Sequence, residues 1–313
     1  MALLVHLPGL DASPWVEGFR RALDGYPVYG DDDIVPRSEV RYLFAWKPAP
    51  DAFEGLDNLK AIFSLGAGVD ALLRHPNLPD VPIVRFVDAD MTQSMSDYVI
   101  AQVTMHHRLI SRYQAHQRAK VWTQLYPPPA TDIAVGIMGL GVLGEDAARK
   151  IKMLGFTVNG WSRTPKSIGG VVSFAGAESV PDFLAATDIL VNLLPLTEET
   201  RGILNTKTFK GLRRGKLPGG PVVVNAARGG HQVEADIVAA LEDGTLGAAS
   251  LDVFEIEPLP KTSPLWTLPN CYITPHIAAV SNEANGVRYF SEMLTAHERG
   301  EPLANLVDRG RGY

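Results

Sequence analysis

Residues 133–154 read IAVGIMGLGVLGEDAARKIKML. An apolar strand pattern runs into Gly139, Gly141 and Gly144, and a helix pattern, EDAARKIKML, follows directly. In a GxGxxG turn between strand and helix each glycine has a use. The first allows a tight turn, the second lets the backbone approach a pyrophosphate, and the third lets helix and strand pack closely. The unpaired N–H groups at the helix start, where Val142 and Leu143 stand, favour a diphosphate, as does the helix dipole. A chain with 29 glycines offers accidental spacings, so a ligand-free glycine-rich turn is the plain alternative. The strand–turn–helix context selects a dinucleotide.

Outward from this turn, short apolar runs alternate with helical patterns. Downstream come TVNGWS (157–162), DILVNLLP (188–195), PVVVNAA (221–227), AASLDVF (248–254) and CYITP (271–275), which with IAVGIMG make six strands. Upstream, LLVHLP, SPWVEGFRRAL, RYLFAW, a short helix, AIFSLG, VDALLRH and IVRFV form a second alternating series. Such alternation predicts parallel sheets covered on both faces. From Thr92 to about Trp122 the pattern predicts one long helix, ended by YPPPATD, since consecutive prolines cannot continue it. On that helix His106 and His107 read as core or interface residues. The last helical segment, SNEANGVRYFSEMLTAHERG, is expected to return to the first domain. The expected fold class is α/β with two domains: residues 1–95 plus 285–313, and a doubly wound Rossmann dinucleotide-binding domain over 96–284.

The bulk numbers narrow the function classes. The chain of 313 residues has 46% hydrophobic and 20% charged content, ordinary for a globular protein, and a net charge of −6 that argues against a nucleic-acid partner. A single cysteine, Cys271, excludes an intramolecular disulfide and any cysteine-rich metal cluster, which fits a cytoplasmic location. No metal site is expected. The apolar start MALLVHLP is interrupted by His6 and Pro8 with no preceding Lys or Arg, so it reads as a buried strand rather than a leader. No window approaches a membrane span of roughly eighteen apolar residues.

Three residues stand where strands should end: Arg228 after VVVNAA, Glu257 in LDVFEIEPLP, and His276 in ITPHIAA. In a parallel sheet ligands collect beyond the carboxyl ends of the strands, so the three can face one site. A hydride arriving at a ketone carbon leaves negative charge on oxygen, which a protonated histidine can meet as general acid. A carboxylate beside the imidazole favours the imidazolium and orients it. A guanidinium can pair with a substrate carboxylate and polarise the ketone. Taken singly each has a bland reading: a surface ion pair, a solvated turn, a histidine among eight.

The cofactor is legible at the end of the second strand. An acidic residue about twenty positions past the fingerprint normally holds the adenosine ribose. Here the place offers Ser162, Arg163 and Thr164, with Lys166 beyond and no carboxylate. A guanidinium with neighbouring hydroxyls suits a 2′-phosphate, so NADP(H) is the preferred cofactor, with NAD(H) also admitted. A solvated basic loop is the alternative.

The set GLGVLG, NAARGG, LDVFEIEPLP and ITPHIAA resembles the D-isomer-specific 2-hydroxyacid dehydrogenase family over nearly the whole chain. FSLGAGVD, GWSRTPK, NLLPLTEETRGIL, SPLW and VDRGRGY are similar to its glyoxylate/hydroxypyruvate reductase A branch. The resemblance implies a flavodoxin-like substrate domain ahead of the Rossmann domain. It implies NADPH-dependent reduction of glyoxylate and hydroxypyruvate, and a homodimer through the cofactor domains. It also implies Arg228 as substrate-binding and polarising residue, Glu257 as partner of the imidazole, and His276 as proton donor. To the cofactor surface it adds Trp161, Leu194, Pro195, Thr200, Ala226, Arg228, Asp252 and His276.

The first domain should carry substrate contacts. FSLGAGVD ends a strand, and the N–H groups of Ala67, Gly68 and Val69 could form a carboxylate nest at a helix start, which is where the family binds the substrate carboxylate. Trp46, at another strand end, matches a branch tryptophan that closes over small substrates, though core packing is the commoner use of such a residue. The long helix from Thr92 serves either a dimer interface or a bridge within the chain. Three rivals remain: a dinucleotide-sensing, corepressor-like binding protein on the same scaffold, a relative that oxidises formate or phosphite, or a dehydrogenase of different substrate range.

Overall fold

The computed structural model describes residues 1–312. They divide into two compact units, Met1–Met91 with Val280–Tyr313, and Thr92–Ala279.

In the first unit the chain alternates β1 (Ala2–His6), α1 (Ser13–Ala22), β2 (Val28–Tyr29), β3 (Val40–Ala45), β4 (Ala61–Ser64), α2 (Asp70–Leu73) and β5 (Ile83–Arg85). The strands pair in parallel in the order β2-β1-β3-β4-β5, the flavodoxin-like arrangement. Alternate side chains serve opposite faces of this sheet. Leu43, Ala45 and Ile62 join one cluster with Leu56 and Leu72, while Tyr42, Phe44 and Phe63 meet Trp15, Phe19 and Phe290 in stacked and edge-on pairs.

The second unit holds α3 (Ala89–His107, its first residues still in the first unit), α4 (Ile110–Arg118), β6 (Ala134–Met138), α5 (Val142–Met153), β7 (Thr157–Ser162) and β8 (Val171–Ala175). Then follow α6 (Val180–Ala185), β9 (Ile189–Asn192), α7 (Thr206–Gly211), β10 (Val222–Asn225), α8 (Glu234–Glu242), β11 (Ala248–Leu251) and β12 (Cys271–Ile273). All seven strands are parallel, in the order β12-β11-β10-β9-β6-β7-β8. This is the doubly wound dinucleotide order with one extra strand, and its switch point lies between β6 and β9. Burial on both faces explains the near-continuous apolar strands. Ile189, Val191, Val222 and Val224 pack with α3 and α5, whereas Leu190 and Val223 pack with Phe183, Phe209 and Ile237. The final helix, α9 (Glu283–Glu298), belongs to the first unit.

Three local expectations are corrected. The long helix is two: α3 stops at His107, Leu109 takes a left-handed conformation with φ 58°, and α4 runs only to Arg118. Burial decides the break, because Leu109 is buried, His106 reaches the Ser250 hydroxyl at 2.8 Å, and His107 reaches the Pro128 carbonyl at 2.8 Å. The second sheet has seven strands rather than six, since β8, half-exposed at the sheet edge, lacks a clear apolar pattern. No helix lies between β3 and β4; KPAPDAFEGLDN makes turns there, as its two prolines and Gly55 (φ 70°) dictate. No described helix is long and apolar enough to cross a membrane.

Candidate active site

The glycine turn meets the steric demands of a dinucleotide cradle. Gly139 has φ 99°, and a Cβ there would fall 2.6 Å from the Leu193 carbonyl. A Cβ on Gly144 would fall 1.8 Å from the Gly139 carbonyl, so only glycine lets α5 start this close to β6. Gly141, the N-cap of α5, is different: nothing lies within 4 Å of its would-be Cβ. Two glycines are thus required by the fold and the third keeps the approach to a helix N-terminus open, the space a pyrophosphate uses. Val142 is half-exposed and Leu143 partly buried beside it.

The loop after β7 carries the residues expected at the adenosine end. Arg163, Thr164 and Lys166 are exposed. Ser162 is buried and its hydroxyl donates to the Thr164 carbonyl at 2.8 Å, which leaves only its lone pairs for a ligand. Trp161 turns inward: its indole N–H donates to the Gly176 carbonyl at 2.9 Å and its ring joins the core. On the loop after β9, Glu199 carries a carboxyl held below the usual range by a hydrogen bond from Thr197 and by its own backbone, with Arg163 adding to the effect. Leu194 and Thr200 are buried on that loop, where the Thr200 hydroxyl donates to the Pro195 carbonyl at 2.8 Å.

Beyond the carboxyl ends of β10, β11 and β12 stand the three residues of the expected catalytic set. Arg228 follows β10 and donates from Nη1 to the Ala227 carbonyl at 2.8 Å; Ala226, just before, is buried. His276 follows β12 and Glu257 follows β11. The imidazole Nδ1 lies 3.1 and 3.0 Å from the two carboxylate oxygens of Glu257, and both side chains remain partly exposed. Since an ionised carboxylate only accepts, Nδ1 carries the proton of this bond, and Nε2 makes no hydrogen bond among the described residues.

His276 itself takes φ 57°, an uncommon conformation for a residue with a Cβ. Asp252 holds it there. The Asp252 carbonyl accepts the His276 N–H at 2.8 Å. Its buried carboxylate accepts the Thr274 hydroxyl at 2.7 Å and the Ile277 and Ala278 N–H groups at 2.8 Å each. Expected among cofactor contacts, Asp252 spends most of its bonding capacity on the histidine loop. Tyr98 backs the arrangement with a 2.8 Å bond to Thr274, its hydroxyl pushed up to about 12 by burial.

In the first unit, Ser64 ties back to the Gly66 carbonyl at 3.0 Å, and the amides of Ala67, Gly68 and Val69 donate to nothing among the described residues. Helix α2 behind them has four residues, so open amides rather than a long helix dipole are what this loop offers an anion. Trp46 lies close against this loop: a Cβ on Gly66 would sit 2.4 Å from its ring.

A buried amide network behind Arg228 was not foreseen. Asn192 donates to the Asn225 side chain at 3.0 Å, Asn225 donates to the Arg228 carbonyl at 3.1 Å and to Gln232 at 2.8 Å, and Gln232 donates to the Val253 carbonyl at 3.0 Å. The available signal was polar residues closing apolar strand runs, as in VVVN and ILVN.

A doubly wound sheet with this glycine turn, and with arginine, glutamate and histidine beyond three adjacent strands, defines a dinucleotide-dependent dehydrogenase. The model of the D-isomer specific 2-hydroxyacid dehydrogenase NAD-binding domain matches residues 100–278. Over their full lengths the chain is 40% identical to a glyoxylate/hydroxypyruvate reductase A of Yersinia enterocolitica. Among solved structures, a probable 2-hydroxyacid dehydrogenase of Rhizobium etli, in complex with NADP, HEPES and tartaric acid, is 46% identical with TM-score 0.90, over 100% of this chain and 99% of that one. An NADPH-dependent glyoxylate/hydroxypyruvate reductase of Sinorhizobium meliloti, in complex with NADP and sulfate, is 44% identical with TM-score 0.92 over all of both chains. The chain belongs to the D-isomer specific 2-hydroxyacid dehydrogenase family.

Proposed function

We propose that the protein reduces small 2-oxo acids with NADPH, glyoxylate to glycolate and hydroxypyruvate to D-glycerate. The observation that carries this reading is the Glu257–His276 pair beyond adjacent strands of a dinucleotide sheet, with Nε2 left to serve a substrate oxygen. The relatives support the substrate class and NADP.

The cofactor supplies the hydride that reaches the ketone or aldehyde carbon. The chain's own groups handle the rest. Arg228 pairs with the substrate carboxylate and polarises the carbonyl oxygen. As negative charge develops on that oxygen, His276 gives it the Nε2 proton, with Glu257 holding the ring in orientation and keeping it charged until that proton leaves. On the first unit the amides of Ala67, Gly68 and Val69 serve the substrate carboxylate, and Trp46 limits the length of the substrate. Arg163, with Thr164, Ser162 and Lys166 nearby, takes the 2′-phosphate. A homodimer through the second unit completes the reading, supported by the exposed Val121, Trp122 and Tyr126 after α4. A cytoplasmic setting suits the single free thiol.

One plate of assays tests the function: NADPH and NADH, each with glyoxylate, hydroxypyruvate, pyruvate and phenylpyruvate. Oxidation of NADPH by the two small acids is expected. Failure of every acid with either cofactor would remove the enzyme and leave the dinucleotide-sensing rival.

A further inference from the structure

Behind Arg228 sits a ring that packing alone does not require. His231 is fully buried in the single 3₁₀ turn Gly229–His231. Its Nδ1 lies 3.1 Å from the Arg228 carbonyl and its Nε2 3.2 Å from the Pro195 carbonyl. Both oxygens only accept, so the imidazole donates to either, and to both when each nitrogen carries a proton. Burying an imidazole costs more than burying a leucine of similar bulk, unless such bonds are made.

The two carbonyls belong to two different parts of the site. Arg228 is the guanidinium beyond β10, and Pro195 opens the loop beyond β9 that carries Thr200. The Arg228 turn is pinned on its other side by steric demand, since a Cβ on Gly229 would fall 1.8 Å from the Phe254 carbonyl. Asn225 also donates to the Arg228 carbonyl, at 3.1 Å. The backbone at Arg228 is therefore held between the segment after β11 on one side and the loop after β9 on the other, and the His231 side chain makes the second of these links.

We propose that His231 is a positioning residue, which sets Arg228 for the substrate carboxylate by fastening its turn to the dinucleotide-side loop at Pro195. The inference rests on the assignment of Arg228 to that carboxylate. His231 touches neither substrate nor cofactor in this reading; it acts through the backbone it holds.

The test compares His231→Leu, which removes both bonds at similar volume, with His231→Gln, which keeps a donor able to serve one carbonyl, and with Arg228→Lys. Steady-state constants for glyoxylate are measured alongside the NADPH Kd from quenching of tryptophan fluorescence without substrate. For His231→Leu the glyoxylate KM is expected to rise about tenfold or more, with kcat and NADPH Kd within about threefold of wild type; His231→Gln falls between. A KM unchanged in either folded variant overturns the proposal, as does a KM rise matched by equal losses in kcat and NADPH affinity, which is general loosening. If His231→Leu does not fold, the Gln variant decides, since an unchanged KM there overturns the link to Pro195. A raised KM in Arg228→Lys with none in the His231 variants refutes the positioning role alone; no effect in Arg228→Lys refutes the reading of Arg228 itself.

Discussion

At the scale of single residues, the chain answers two chemical questions with two side chains. Arg163 stands exposed where an NAD-specific site would carry an acid, and a guanidinium there attracts a phosphate that a carboxylate would repel. Replacing Arg163 with alanine is expected to raise the KM for NADPH about tenfold or more while leaving that for NADH within about twofold, since a charge-assisted pair of this kind contributes about 1.5–3 kcal/mol. Equal effects on both cofactors would refute the assignment. The second side chain is His276, whose Nδ1 is taken by Glu257 and whose Nε2 makes no hydrogen bond among the described residues. His276→Asn should cut kcat by a factor of about 10² or more with NADPH binding preserved, because proton transfer from a placed acid contributes about that much. Reduction near the wild-type rate at neutral pH would show another group to be the donor. Gly66 supplies the last residue-scale test. Any Cβ there meets the Trp46 ring, so Gly66→Ala is expected to move the indole and shift the ratio of kcat/KM values from glyoxylate toward longer 2-oxo acids. An unchanged ratio in a folded variant separates Trp46 from selectivity.

Elements tell how much of this was readable in advance. Strand ends were legible because buried parallel strands are apolar throughout, so a polar or charged residue at the end of such a run stands out: Arg228 after VVVNAA, Glu257 after SLDVF, His276 after CYITP. The glycine turn was legible because steric need leaves few choices at residues 139 and 144. Less legible were the features set by partners distant in sequence. Leu109 ends α3 because burial and the bonds of His106 and His107 are worth more than helix continuation, and none of those partners lies on the same helix. Edge strand β8 has a half-exposed pattern that resembles a loop. Asp252 reads as a site residue but is spent on the loop of His276, and Trp161 reads likewise but is packed inward. The α3–β11 link carries a pH consequence. Burial pushes His106 down to about 4 from an ordinary 6.5, so the folded chain keeps it neutral while the unfolded chain takes up a proton. Stability from this site is therefore complete above pH 6.5 and lost as pH falls toward 4, on the order of 3 kcal/mol in all. His106→Asn should flatten the fall of Tm across that window relative to wild type; parallel curves would show that His106 does not titrate with unfolding.

For the whole molecule, the question is what covers the segment beyond α4. After Arg118 the chain leaves the helix, and Val121, Trp122 and Tyr126 are all exposed, Trp122 to 102%. A tryptophan fully in water leaves a large apolar area uncovered, and apolar residues exposed together, rather than singly, mark association sites. The same unit also has a recess of about 500 Å³ lined in part by Leu109, Leu217, Leu241, Leu268 and Tyr272, with Arg112 among its walls. A projecting apolar segment and an open recess on one unit can be used twice by a two-fold pair, each copy offering its segment to the other. Trp122 would then act as an anchor, and anchors of its kind cost about 2 kcal/mol or more when truncated. Wild-type protein is accordingly expected to sediment as a dimer at micromolar concentration. Trp122→Asp is expected to raise the dimer dissociation constant by a factor of about 30 or more, with the ratio of the KM values for NADPH and NADH unchanged in the monomer. A wild-type monomer at those concentrations, or a Trp122→Asp dimer as tight as wild type, would place the function of this segment elsewhere.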